Sequence, residues 1–294
     1  MSQKLLKRSF VMLAITMFAL GANPLKGQDV VRYNLWVGGV QVTSANCSDL
    51  TVIEGVSGKV SFDSKTTTLT LENASIHSTG DDEYAHGICN LYWQEYNPEG
   101  LTIRIIGNNT ITAEGKAGIF NKRDLKDKAN GKMTIVGDGK LTISSKENPG
   151  IYNKAYLTIR DCTIETDNPL WGISDGYWTF DNCNVRVRGA KWGSLLDFYA
   201  MPTFTNCSLT APTGATWQAD ASGKQTLCGA DGEPLKDWVE ITRTGGTPID
   251  FIAMPEVDVE TTIYTLDGIR VSDDPEHLAA GIYIIGGKKV IIRR

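Results

Sequence analysis

The sequence predicts an all-β chain, most of it wound as a right-handed parallel β-helix, with a small antiparallel β module at the C-terminal end. Three observations carry that prediction: a four-residue motif that keeps returning, a second strand-like element that alternates with it, and the lack of an amphipathic helical pattern between them. Runs of β-branched residues broken by Gly and Asn mean strands and tight turns.

The motif is Gly-Ile-x-Asn/Asp. It reads Gly87-Ile88-Cys89-Asn90, Gly118-Ile119-Phe120-Asn121, Gly150-Ile151-Tyr152-Asn153 and Gly172-Ile173-Ser174-Asp175, with a degenerate copy at Trp192-Gly193-Ser194-Leu195. Its glycines are spaced by 31, 32, 22 and 21 residues. The alternating element reads Leu157-Thr158-Ile159-Arg160-Asp161-Cys162-Thr163-Ile164, then Trp178-Thr179-Phe180-Asp181-Asn182-Cys183-Asn184-Val185, then Thr203-Phe204-Thr205-Asn206-Cys207-Ser208-Leu209. An early copy is Leu69 to Ile76, and glycine-turn variants surround Gly107 and Gly137. Two interleaved elements on one shared period describe one structural unit per period, stacked on the next.

Strand neighbours point to opposite faces, so Leu157 and Ile159 face one way and Thr158 the other. After the bend at Asp161, Cys162 with Ile164, Cys183 with Val185 and Cys207 with Leu209 share the inward face. Coils stacked about 4.8 Å apart align such residues in ladders. A meander or up-and-down barrel would need hairpin turns between neighbours, whereas these units return to register with two different strands per period. The right-handed crossover preference sets the hand.

The ends read differently. Lys4, Lys7 and Arg8 precede an apolar run from Phe10 to Ala22 and a small-residue exit, which are the parts of a secretory signal peptide over 1–27. Cleavage is placed after Gly27, with Gly21 the alternative. The run falls short of the roughly 20 residues that span a bilayer, and the first cysteine is Cys47, away from the cleavage site. Residues 28–80 supply an N-terminal cap and first coil. There, Gly38-Gly39 turns one hairpin, and another joins Val60–Asp63 to Thr68–Leu71. Coils fill 81–244, the stretch 217–241 being a last irregular one. Residues 245–258, with Gly245-Gly246-Thr247-Pro248, form a linker, and 259–294 form a β module of two hairpins.

The string Ile263-Tyr264-Thr265-Leu266-Asp267-Gly268-Ile269-Arg270-Val271, followed by Leu278, Gly281-Ile282-Tyr283-Ile284 and Gly287-Lys288-Lys289-Val290, resembles the C-terminal sorting domain of type IX secretion cargo in the Bacteroidota. That resemblance implies export across the outer membrane, with residues 259–294 read by the secretion machinery. The body, through Tyr33-Asn34-Leu35-Trp36-Val37, Thr68-Leu69-Thr70-Leu71 and the Gly-Ile-x-Asn copies, resembles pectate-lyase-like β-helix proteins of the same bacteria, often described as carbohydrate-binding. The expected location is secreted or on the outer-membrane surface, with the periplasm as the alternative.

Composition narrows the chemistry. Without residues 1–27, which hold four basic residues and no acidic one, 25 Lys+Arg face 34 Asp+Glu, a net charge of −9. That balance argues against a nucleic-acid partner. Asp161 and Asp181 stand at or beside the bend that Asn73, Asn182 and Asn206 also occupy, so a structural role outweighs acid/base work or calcium binding. Arg160, Arg186 and Arg188 are expected to pair with Asp181 or Glu165. His77, His86 and His277 show no metal-ligand spacing, and no nucleophile elbow or phosphate loop occurs. The expectation is therefore no enzyme, no metal and no cofactor, calcium lacking any support.

Six cysteines in an exported chain raise the prospect of disulfides. In-register neighbours hold their Cβ atoms farther apart than a disulfide prefers, so a buried thiol ladder of Cys162, Cys183 and Cys207 is favoured. Cys47, Cys89 and Cys228 are left unplaced. The candidate binding residues are aromatic. Phe120 and Tyr152 hold the outward x position on neighbouring coils, and Tyr92 and Trp93, with Tyr96, lie in an adjoining insertion. Trp171 and Trp192 are expected to face the core. The partner expected is polysaccharide, with a host or surface protein as the alternative.

Overall fold

The computed structural model describes residues 29–91, 100–122, 131–244, 263–266, 269–272, 278–285 and 288–292. The signal-peptide segment, the linker 245–258 and the insertion with Tyr92, Trp93 and Tyr96 lie outside these residues. Contacts divide the chain into two units, Met1–Gly245 and Gly246–Arg294. Among the described residues the protein is all-β with large mixed sheets, one short 3-10 turn at Leu50–Val52, and no helix long and apolar enough to cross a membrane.

Three stacks of parallel strands make up most of the first unit. The first holds the motif: Ile88–Asn90, Ile119–Asn121, Ile151–Asn153, Trp171–Ser174 and Gly193–Leu196. Ile88, Ile119, Ile151, Ile173 and Leu195 are direct partners along it, and none is exposed. The second stack runs through Leu101–Ile106, Lys132–Val136, Tyr156–Arg160, Tyr177–Asp181 and Thr203–Thr205. The third runs through Asn108–Ala113, Lys140–Ser145, Thr163–Asn168 and Asn184–Gly189. The long strand Thr68–Ser78 begins both, pairing through Thr68 to Glu72 with the second and through Ser75 to Ser78 with the third.

The bend between the second and third stacks explains its own residues. Asn73, Asp161, Asn182 and Asn206 adopt φ of 48°, 57°, 46° and 51°, and Gly107 adopts 66°. Gly, and less often Asn or Asp, is the residue that most readily adopts that left-handed conformation. The side chains also link neighbouring bends: Asn73 Oδ1 accepts the Asn108 N–H at 3.1 Å, and Asn182 Nδ2 donates to Asp161 Oδ1 at 2.7 Å.

The motif explains itself in the same way. A Cβ on Gly87, Gly118, Gly150 or Gly172 would overlap Ile111, Ile143, Thr166 or Val187 of the third stack. Glycine thus fills an inward slot beside the inward isoleucine. Strand alternation breaks there: His86 and Ala117, before Gly87 and Gly118, stay buried, whereas the tryptophans before Gly172 and Gly193 turn toward solvent. This corrects the expectation for Trp171 and Trp192: Trp171 is half-buried and Trp192 is 47% exposed. The motif asparagines form a buried ladder, Asn90 Nδ2 donating to Asn121 Oδ1 at 2.8 Å and Asn121 Nδ2 to Asn153 Oδ1 at 2.9 Å.

Antiparallel strands cover the start of the stacks and the far end of the third, which limits unpaired sheet edge. The hairpin Arg32–Val37/Val40–Thr43, turned by Gly38 and Gly39 at φ of 57° and 81°, pairs antiparallel with Ile88–Asn90. Val56–Asp63 pairs antiparallel along Thr68–Ser78. At the far end the structure corrects the expected last coil. In place of an irregular coil over 217–241 stand the hairpin Thr216–Ala219/Gln225–Cys228 and the strand Val239–Arg243, which runs antiparallel between Asn184–Gly189 and Cys207–Ala211. Cys207–Ala211 therefore does not continue the third stack directly. All six cysteines are free, and Cys162, Cys183 and Cys207 lie buried in the core.

The second unit contains a four-stranded antiparallel sheet of Ile263–Thr265, Arg270–Ser272, Gly281–Ile285 and Lys288–Ile292. Ile263, Leu278 and Tyr283 form its small core. Tyr264, Ile282 and Ile291 are exposed.

Candidate functional site

The first stack brings Phe120 and Tyr152 together. They are direct register partners, and their half-buried rings lie 5.3 Å apart at 33°. Two residues that the sequence reading missed complete the column. His86 stacks on Phe120 at 4.6 Å and 23°, and Lys154 Nζ lies 4.7 Å from the centre of the Tyr152 ring. Phe120 is therefore stacked by two rings. In-register stacking of like residues turns ring faces toward one another, which leaves mainly edges to solvent. The column offers a row of aromatic edges with a cation at its end.

His86 sits just before Gly87, at the corner where the motif turns the preceding residue. It is 6% exposed, and Nδ1 has no hydrogen-bond partner among the described residues. Burial pushes its pKa down to about 4, opposed by the nearby carbonyls of Ala117 and Glu83. A buried neutral imidazole is the form that stacks here. Cys89, the register partner of Phe120, is fully buried, and burial pushes its thiol up to about 12. Beyond it Trp36 stacks on Tyr84 at 4.4 Å and 10°.

Two further aromatic groups were not anticipated as outward surface. Tyr156 and Tyr177, register partners at the start of the second stack, lie 4.6 Å apart at 13°, and Tyr199 meets Tyr177 edge-on at 5.6 Å. The signal was present: each of the first two directly precedes an inward Leu157 or Trp178. Trp171 and Trp192 stack at 6.0 Å, with Lys191 Nζ 5.1 Å from the Trp192 ring. Near Tyr199, Lys224 lies 3.5 Å from Asp175, whose carboxyl is raised by burial against that cation's pull.

The charged groups fall into pairs that differ from those expected. Arg188 holds Asp167 through two bonds of 2.6 and 2.8 Å, Arg186 meets Glu240 at 3.2 Å, and Lys140 meets Glu165 at 3.0 Å. In-register pairing sets Arg188 beside Asp167, and the antiparallel strand Val239–Arg243 delivers Glu240 to Arg186. Arg186 and Arg188 also flank Trp238, at 3.7 and 5.1 Å from its ring centre. Arg160 faces Asp161 at 3.8 Å.

Among the described residues no three His, Cys, Asp or Glu side chains are grouped to hold a metal ion. A hollow of about 750 Å³ over 229–237 contains no aromatic side chain. Comparison with family models, characterised proteins and solved structures gives no match for this chain.

Proposed function

We propose that this is an exported, non-catalytic surface protein, coiled as a right-handed parallel β-helix, that binds glycan along its outward aromatic columns. The β-helix reading is supported by three parallel stacks whose strands recur in the same chain order, with the motif isoleucines in register. The observation that carries the binding reading is the column His86–Phe120–Tyr152–Lys154, in which buried His86 backs the half-buried rings of Phe120 and Tyr152 and a cation lies at the end. Aromatic edges beside polar groups suit the alternating C–H and hydroxyl surface of a sugar chain. Two of the carboxylates along the stacks are engaged, Asp167 by Arg188 and Asp161 by Asn182. Residues 1–27 direct export, and 259–294 engage the secretion machinery, so the site of action is secreted or at the outer-membrane surface. Tyr92 and Trp93, outside the described residues, are further candidates on the same reading.

A second reading, an adhesive protein with a protein partner, is favoured by one feature. Ile282 and Ile291 are direct partners in the C-terminal sheet and stay 39% and 58% exposed. A glycan-array screen of the mature chain, with and without calcium, separates the two. A hit lost in Phe120→Ala/Tyr152→Ala, at unchanged stability, supports glycan binding. A blank array alongside binding to a matrix protein supports adhesion, and calcium-dependent release of unsaturated sugars overturns the non-catalytic reading.

A further inference from the structure

Resting on the glycan reading above, we propose that the outward surface of the second stack is a strip for a linear anionic glycan, carboxylated or sulfated, laid along the stacking direction. Three ranks of side chains run side by side there, alternating with buried residues such as Leu157 and Ile159. The middle rank is six threonines, Thr68, Thr102, Thr134, Thr158, Thr179 and Thr203, each the register partner of the next. One flank carries Lys132, Tyr156 and Tyr177, and the other carries Arg104, Val136, Arg160 and Asp181, also in register.

Charge selects the occupant. The strip bears Lys132, Arg104 and Arg160 against Asp181, in a chain whose net charge is −5. On the third stack the cations are spent in close pairs, Lys140 with Glu165, Arg188 with Asp167 and Arg186 with Glu240. On the second stack the one ion pair of Arg160 among the described residues is with Asp161 at 3.8 Å, an exposed contact of little worth. Lys132 and Arg104 make no ion pair among the described residues, and both are exposed. Guanidinium forks fit carboxylate or sulfate oxygens in a bidentate way. Threonine hydroxyls both donate to and accept from sugar hydroxyls. The Tyr156 ring, 39% exposed and stacked on Tyr177, gives a sugar ring a surface to lie against. The strand spacing of about 4.8 Å repeats these groups in a line, which suits a repeating polymer.

The test measures binding of the full mature chain to alginate and heparin as anionic polymers and amylose as a neutral one, at low and high salt. The anionic polymers are expected to bind and to weaken as salt rises. Arg104→Gln/Arg160→Gln should lower that affinity by about tenfold or more, while Lys140→Gln on the third stack leaves it unchanged. All three side chains project outward, so matching urea midpoints will show intact folds. Anionic binding that survives the arginine variant, or that is lost only in Phe120→Ala/Tyr152→Ala, overturns the strip. Binding of amylose alone also overturns the strip and leaves the glycan reading standing. Binding of no polymer overturns both.

Discussion

Asn121→Ala tests whether the repeat is held by its buried amide ladder. Asn121 is fully buried, accepts from Asn90 Nδ2 at 2.8 Å, and donates to Asn153 Oδ1 and the Gly131 carbonyl, both at 2.9 Å. Truncation takes an acceptor from Asn90 and a donor from Gly131, while Asn153 Oδ1 keeps the Ala155 N–H at 3.1 Å. Each buried polar group deprived of its partner costs about 1–3 kcal/mol. With partial relaxation the loss should be about 2–4 kcal/mol. For an m-value of about 3 kcal/mol/M, that lowers the urea midpoint by roughly 1 M. Asn121→Asp should cost more at neutral pH, because it sets a buried charge against the Asn153 and Gly131 oxygens. Asn108→Ala, at an exposed position, is the control and should stay within about 0.5 kcal/mol. A midpoint for Asn121→Ala indistinguishable from that control would refute the ladder as a stabilising element.

The remaining predictions concern titration and thiol chemistry. His86 has a folded pKa of about 4, against about 6.5 when unfolded, so the unfolded chain binds the extra proton between those values. Its contribution is fully present above pH 6.5 and falls as pH drops toward 4, by about 3 kcal/mol at most; urea midpoints across pH should show this slope, and His86→Phe should flatten it. An unchanged slope would mean that His86 is not buried neutral in the column. Burial raises the thiols of Cys89 and Cys162 to about 12, and those of Cys183 and Cys228 upward as well, so the native protein should resist alkylation at pH 8 except at half-buried Cys47. Intact-mass measurement should count one adduct in native protein and six after denaturation; fewer than six without reductant would reveal disulfides.

How much of this was legible in the sequence depended on whether a residue's direction follows from strand alternation alone. The motif put Ile88, Ile119, Ile151 and Ile173 in register because each copy is a short strand between similar corners. Phe120 and Tyr152 met because they hold the same slot on adjacent copies. Alternation fails at a corner, where Gly172 takes the core slot that the pattern gave to Trp171. His86 escaped notice for the same reason, since it precedes a motif glycine and turns onto Phe120. The closing strand Val239–Arg243 was illegible on other grounds. Its alternating pattern says that one face is buried, but the choice of Asn184–Gly189 and Cys207–Ala211 as antiparallel partners is made by two exposed edges far away in sequence. The Arg186 pairing inherited that ignorance, because that strand brings Glu240 to Arg186.

The geometry that made the aromatic site legible also limits how it can bind. Residues in one slot of an in-register stack lie about 4.8 Å apart, close to the offset-stacking range of aromatic rings. Such rings turn their faces to one another, as Phe120 and Tyr152 do, and His86 stacks on Phe120 from the corner before Gly87. A flat sugar ring finds a free face only where a column ends or is only loosely stacked, as at Tyr156 and Trp192, which stay 39% and 47% exposed. On the glycan reading, affinity then comes from many modest contacts repeated along the coils rather than from one platform. Contacts tied to one scaffold act together through high effective concentration. Removing one exposed ring, Tyr156 or Trp192, should weaken binding of a long polymer far less than removing the repeated arginines of a whole rank. A short oligosaccharide, which engages only one or two coils, should bind poorly to every version of the protein.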